Sequence, residues 1–393
     1  MTFLKSGIFQ LFLSVFLAFF IVPYLSIYHI SFFYSLSLVL KDFLMIILPF
    51  IIFFCLSSVL SGFKSSAPLL VLGVIIFVIL SNMMTVLTAY GVGYFLLPEI
   101  CREKCILISN LESKIEPLFR LPIQSIIKNE YALLLGVIVG LITTFLQSHQ
   151  QQKIARFLNK GKHNSTLILK KCFIPFLPIY VFGFVLKLHF DGALSSLLDS
   201  YGKIFCINLA LIIGYVFVMY LIAARFSFKK TFFYIQNMLP AGLTGLSTMS
   251  SMAALPITLK ATEDNTNNEE FSEFIIPSTA NIHMVGDGLN IALTAIALLL
   301  MTRCDFPLFS TYMVFVLHYC IVKFSGVGVP GGGVLVILPV VQTYLGLNSE
   351  LTSLLATIYI LQDAILTSAN VMANGAFAII VHNVFKKIKL IKT

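Results

Sequence analysis

A chain of 393 residues that is 58% hydrophobic and 11% charged, with a mean hydropathy of +0.96, has too little charge to cover a soluble surface of that size, which excludes a water-soluble domain. The formal charge of +9 does not indicate nucleic acid, because the basic residues gather in a few short segments and at the C-terminus, the pattern of orientation signals in a polytopic membrane protein. The seven cysteines show no zinc spacing: Cys55, Cys172, Cys206 and Cys320 stand in apolar runs and read as buried small hydrophobes, whereas Cys101 and Cys105 stand in a polar segment read as a loop, where a disulfide is compatible with the spacing.

Six apolar spans are predicted first, at 8–28, 43–60, 68–97, 129–146, 167–188 and 204–224, each long enough for a hydrocarbon core of about 30 Å. Lys5 ahead of the first run resembles a signal-peptide start, but the run is long and lacks a small-x-small cleavage site, so it reads as a retained span. The segment after the fourth span reads as a loop carrying Lys153, Arg156, Lys160, Lys162, Lys170 and Lys171 without an acidic residue. Placing it in the cytoplasm together with Lys5, Lys64, Arg225, Lys229, Lys230 and the tail Lys386, Lys387, Lys389 and Lys392 puts both termini inside.

From Arg225 to the tail the chain must then cross an even number of times. Phe274–Met301 and Leu351–Phe385 are full spans. Two apolar pieces remain, 232–259 and 309–347, each interrupted by small or polar residues. Each reads as a re-entrant hairpin, the first from the cytoplasm and the second from outside. The expected fold is an all-α polytopic membrane protein with eight transmembrane helices and two opposed hairpins. In the second piece five glycines and a proline fall between Gly326 and Gly333. Backbone without side chains can approach a ligand closely. No Lys-Ser or Lys-Thr follows, so this is not a P-loop. Lys323, just before it, is a fixed positive charge near the proposed site if buried, and the favoured reading is a residue near the outer surface snorkelling to water.

Polar residues then mark a lining. On the last span Asp363, Thr367, Asn370 and Asn374 are spaced four, three and four, which puts them on one helical face. A carboxylate at the bilayer centre is costly, so this face is expected to meet protein, ion or substrate. On the seventh span His283, Asp287, Asn290 and Thr294 repeat the spacing, and Gly286 and Gly288 bracket Asp287, where local unwinding is expected. His283 lies one turn from Asp287, a pair suited to handling a proton or cation. The first hairpin carries Ser247, Thr248, Ser250 and Ser251 at its break. No hydrolase triad, metal cluster or nucleotide fingerprint is present, so no enzyme activity is expected.

With these residues in view, the chain resembles the dicarboxylate/amino acid:cation symporter family of bacterial glutamate-transporter homologues. "SSMAALPITLK", "IPSTANIHMVGDG", "GVPGGG" and "LQDAILTSANVMANGAFAIIV" carry the likeness. The resemblance implies a homotrimer in the bacterial plasma membrane and an elevator mechanism. Residues 1–224 would be mainly the scaffold and trimerisation region, and residues 225–393 the transport core. It implies no cofactor other than Na⁺ or H⁺ as coupling ion, with a small-molecule substrate and the lipid bilayer as partners. Carried over by position, Ser250, Ser251, Val329, Gly333, Asp363, Thr367 and Asn370 would bind substrate. Asn281, His283, Asp287 and Asn374 would serve the cation, and Gly328, Pro330, Gly331 and Gly332 the gate. The family's arginine for acidic substrates is Asn370 here, and its aspartate three residues earlier is Thr367, a pair similar to the serine/threonine branch. Two carboxylates of the family's sodium sites are Val285 and Ala378. The expectation is cation-coupled uptake of a small neutral amino acid. The alternatives are a glutamate, aspartate or C4-dicarboxylate symporter and, from another class, a substrate sensor or channel.

Overall fold

The structure is a computed structural model and describes residues 7–61, 68–109, 115–121, 127, 129–144, 146, 148–191, 193–303, 305–326 and 331–388. Among these, every regular element is helical. Among the described residues six helical segments are long and apolar enough to cross a membrane, and shorter apolar helices lie at Tyr131–Thr143, Phe309–Ser325 and Gly332–Leu345.

Helix α1 (Gly7–Ile21) stops where Pro23 starts a single 3₁₀ turn. Helix α2 (Ile27–Ser61) is continuous, so the expected gap between 28 and 43 is absent. Within it, Lys41 lies 3.6 Å from Asp42 and donates to Ser349 at 2.9 Å. Helix α3 (Pro68–Ser109) also runs on through the expected loop. Cys101 is buried in it as a free thiol, and Cys172 and Cys206, expected inside, are exposed on the protein surface.

Helix α4 (Asn129–Thr144) is followed by α5 (Ser148–Ile168), which corrects the expected basic loop. Charge suggested a loop there, yet Ile154, Phe157, Leu158, Ser165 and Ile168 recur at helical spacing, and Leu158 is buried. Pro175 and Pro178 then interrupt regular bonding between α5 and α6 (Leu177–Phe190), with a π turn and a 3₁₀ turn between them. Helix α7 (Ala193–Ala223) completes this half.

The second half is built from broken helices. Helices α8 (Phe228–Thr248) and α9 (Ser251–Thr266) pack on each other as a hairpin. The turn is made by Met249 in the left-handed region (φ 49°) and by Ser250, whose Oγ accepts from Ala253 N at 3.3 Å. Toward the open end, Asn237 donates to Asn265 Oδ1 at 2.8 Å. The expected seventh span is two helices, α10 (Glu269–Thr279) and α11 (Val285–Arg303). The unwound stretch is 280–284, before Gly286 and Gly288 rather than between them, and Asp287 lies in the first turn of α11. The second hairpin enters through α12 (Phe309–Val322) and a turn at Lys323–Ser325. It returns through short pieces, α13 (Gly332–Leu335), α14 (Leu338–Val340) and a π turn at Val341–Leu345. Helix α15 (Ser349–Lys387) closes the chain, capped by Asn348 accepting from Leu351 N at 2.9 Å. Helix α11 lies at the centre, packed on α3, α7 and α15, while α15 also packs on α8, α9 and α10.

Candidate functional site

The helix breaks of the second half converge. The turn at Met249–Ser251, the unwound stretch at Asn281 and Met284, the first turn of α11, the returning arm of the second hairpin and the middle of α15 enclose one small cavity of about 30 Å³. That volume holds a water or two. Ser250, Ser251, Asn281, Asp287, Asp363, Thr367 and Asn370 bring polar groups to it, and Met249, Met284, Gly333 and Tyr359 complete the lining. A second, smaller cavity of about 10 Å³ adjoins it, lined by Ser251, Asn370 and Asn374. The side-chain stripe on α15 read from the sequence is therefore brought against the serine turn of the first hairpin.

Most of the polar groups are held by hydrogen bonds. Asn370 Oδ1 accepts from Gly286 N at 2.8 Å and Asp287 N at 3.4 Å, and its amide donates to Asp287 Oδ1 at 2.7 Å. Asp363 Oδ2 accepts from Gly331 N at 2.9 Å and its Oδ1 from Thr367 Oγ1 at 3.3 Å. Gly331 has φ +72°, a conformation that glycine adopts without a Cβ penalty. At Gly333 the need for glycine is spatial: a Cβ would lie 2.3 Å from Asp287 Oδ2 and 2.5 Å from the Tyr359 hydroxyl. Asn374 Oδ1 lies 2.8 Å from Thr279 Oγ1. Asn281 Oδ1 is buried at the cavity without a hydrogen-bond partner.

Lys323 departs from expectation. It is fully buried, its Nζ 2.6 Å from Asp287 Oδ2 and 3.1 Å from Gly333 O, and 5.7 Å from the Tyr319 ring centre. An isolated lysine after an apolar helix reads as snorkelling, but its partner is 36 positions away in sequence and only folding brings it near. Breaking a buried pair of this kind typically costs ~3–5 kcal/mol, because one charge is left uncompensated. Asp363, in contrast, makes no ion pair among the described residues.

His283 is fully buried but set back from the cavity: its Nε2 is 2.9 Å from Ser81 Oγ on α3 and its ring stacks on Phe377 at 4.2 Å. Asn290 donates to Gln362 Oε1 at 2.9 Å, in a polar seam with Asn208. Gly332 is buried at the start of the returning arm, and Gly328, Val329 and Pro330 lie outside the described residues.

Three contributors escaped the sequence reading. Tyr359 hydrogen-bonds Asp287, and its position one turn before Asp363 on the polar face of α15 was the available signal. Asn82 donates to Ile282 O at 2.8 Å and accepts from Met284 N at 3.4 Å, pinning the unwound stretch to α3. A lone Asn in an apolar span was its signal. The pairing of Lys323 with Asp287 is the third, since the sequence reading named the lysine but favoured a snorkelling side chain.

A helical protein with membrane-length apolar segments and a polar cavity enclosed between broken helices has the construction of a membrane carrier. The family model described as "Sodium:dicarboxylate symporter family" matches residues 7–384, and the chain belongs to that family. Among curated relatives, excitatory amino acid transporter 1 of Rattus norvegicus is 28% identical over 202 residues, 51% of this chain and 36% of that protein. Neutral amino acid transporter A of Bos taurus is 26% identical over 260 residues, 65% of this chain and 48% of that protein. An excitatory amino acid transporter of Caenorhabditis elegans is 30% identical over 159 residues, 40% and 31% of the two chains. The match thus spans between about a third and a half of these relatives' own length.

Proposed function

We propose that this protein is a secondary symporter that couples inward Na⁺ or H⁺ flow to uptake of a small neutral amino acid. The observation that carries this reading is the charge of the cavity. Asp287 is compensated by Lys323, whereas Asp363 has no counter-ion among the described residues and faces the cavity. A site with one uncompensated carboxylate suits a ligand that brings an ammonium group. Among the described residues no basic side chain lines the cavity to pair with a second carboxylate, and at 370 the sequence supplies an amide. Hydroxyls of Ser250, Ser251 and Thr367 add the short hydrogen-bonding reach that a serine-sized ligand needs.

In this reading residues 225–393 form the transport core and residues 1–224 are mainly the scaffold and trimerisation region of a homotrimer in the bacterial inner membrane, with both termini cytoplasmic. The carrier moves as an elevator, and Gly331 and Gly332 belong to its gate. Asn281 Oδ1, which lacks a partner of its own, and Asn374 supply oxygens for the coupling ion. A second reading keeps the mechanism and changes the cargo to glutamate, aspartate or a C4-dicarboxylate, and the names of two of the relatives favour it. Competition in reconstituted vesicles separates the two. Serine or threonine in excess should abolish labelled uptake that glutamate leaves intact. The reverse order would replace the neutral substrate with the acidic one.

A further inference from the structure

The Lys323 ammonium is held by oxygen atoms from two elements, the Asp287 carboxylate in the first turn of α11 and the Gly333 main-chain carbonyl in the returning arm of the second hairpin. The Tyr319 ring closes a further side at 5.7 Å. Anionic and carbonyl oxygens converging at the ends of broken helices are the donors a small hard cation takes in a carrier of this architecture. Here the donors are already engaged by a cation that the chain itself supplies. It cannot leave with substrate, and it is fully buried.

We propose that Lys323 is a tethered cation standing in for a bound Na⁺ beside the cavity. The returning arm of the second hairpin is then secured to α11 without an ion at this position, and one coupling ion is removed from the transport cycle. The last clause rests on the carrier function proposed above. The occupancy of the position by lysine in place of Na⁺ does not, and it is tested without any substrate.

The test is thermal unfolding of the purified full chain in NaCl and in choline chloride at matched ionic strength. It compares the wild type, Lys323→Met and the double variant Lys323→Met/Asp287→Asn. Lys323→Met leaves the Asp287 carboxylate facing a vacated oxygen site. The expected result is a saturable, Na⁺-specific rise in the Tm of Lys323→Met that exceeds any rise in the wild type by ~2 °C or more and that the double variant does not show. A Lys323→Met response equal to that of the wild type would overturn the proposal, because a lysine that is only a structural tie leaves no sodium site when removed. Lys323→Gln, which keeps a donor for the Gly333 carbonyl, is measured in parallel. Recovery of either single variant only when prepared in Na⁺ counts as the expected result. Failure of both in Na⁺ and choline alike, with the double variant folded, overturns it. Uptake then reads the coupling: the Hill coefficient for Na⁺ should be higher in Lys323→Met than in the wild type. A wild type that takes up no amino acid contradicts the carrier function and leaves the unfolding result to decide the lysine's role.

Discussion

The Asn370 amide donates to Asp287 Oδ1 at 2.7 Å while its oxygen accepts from Gly286 N at 2.8 Å, so one side chain of α15 binds both carboxylate and backbone at the start of α11. Removing it leaves a buried carboxylate oxygen and a buried N–H without partners, at a cost of about 2–3 kcal/mol. Asn370→Ala should therefore lower kcat/KM for uptake by roughly 10–100-fold. Initial-rate uptake in proteoliposomes checks this, and a variant within a factor of two of wild type would show that the contact is idle in transport.

Asn370→Arg replaces a neutral amide with a bidentate cation at the cavity wall. Preference should shift toward acidic ligands, with glutamate competing better against labelled serine than it does in the wild type. Unchanged relative inhibition would count against Asn370 as a selectivity position.

Asp363 faces the cavity without an ion pair and accepts from Gly331 N at 2.9 Å. Asp363→Asn keeps an acceptor for that N–H but removes the charge. Charge-assisted hydrogen bonds to an ammonium contribute about 1.5–3 kcal/mol, so substrate affinity should fall by roughly 10–100-fold. Thr294→Ala, on the buried side of α11 and away from the cavity, should change affinity much less. Ligand-binding calorimetry on both variants gives the comparison, and equal losses would remove Asp363 from the site.

Gly333→Ala drives a methyl to 2.3 Å from Asp287 Oδ2, and Gly331→Val forces a β-branched residue to φ +72° with Ile360 Cγ1 3.0 Å from the new Cβ. Each strain costs on the order of 1–3 kcal/mol. Both variants should unfold at lower temperature and lose most uptake. Wild-type uptake by Gly331→Val would indicate that this backbone is not part of the moving gate.

The sequence made the helical class, the serine-containing turn of the first hairpin and the stripe from Asp363 to Asn374 readable, because hydropathy, helix breakers and helical spacing are local signals. What it hid was pairing. The basic run of α5 looked like a loop marker because charge was read without its buried face. The break in the seventh span was expected around Gly286 and Gly288. It falls at 280–284, where Asn82 of α3 takes up the freed backbone groups, a contact across 200 residues. Lys323 was misplaced for the same reason, since nothing near it in sequence could compensate its charge.

The most direct measurement is labelled amino acid uptake into proteoliposomes containing only this protein, with Na⁺ and H⁺ gradients imposed separately. An inward gradient of one of these ions should drive concentrative uptake of a small neutral amino acid such as serine, and collapsing that gradient should abolish it. Failure of both gradients to accumulate any amino acid would contradict the assignment of the polar cavity as a transport site.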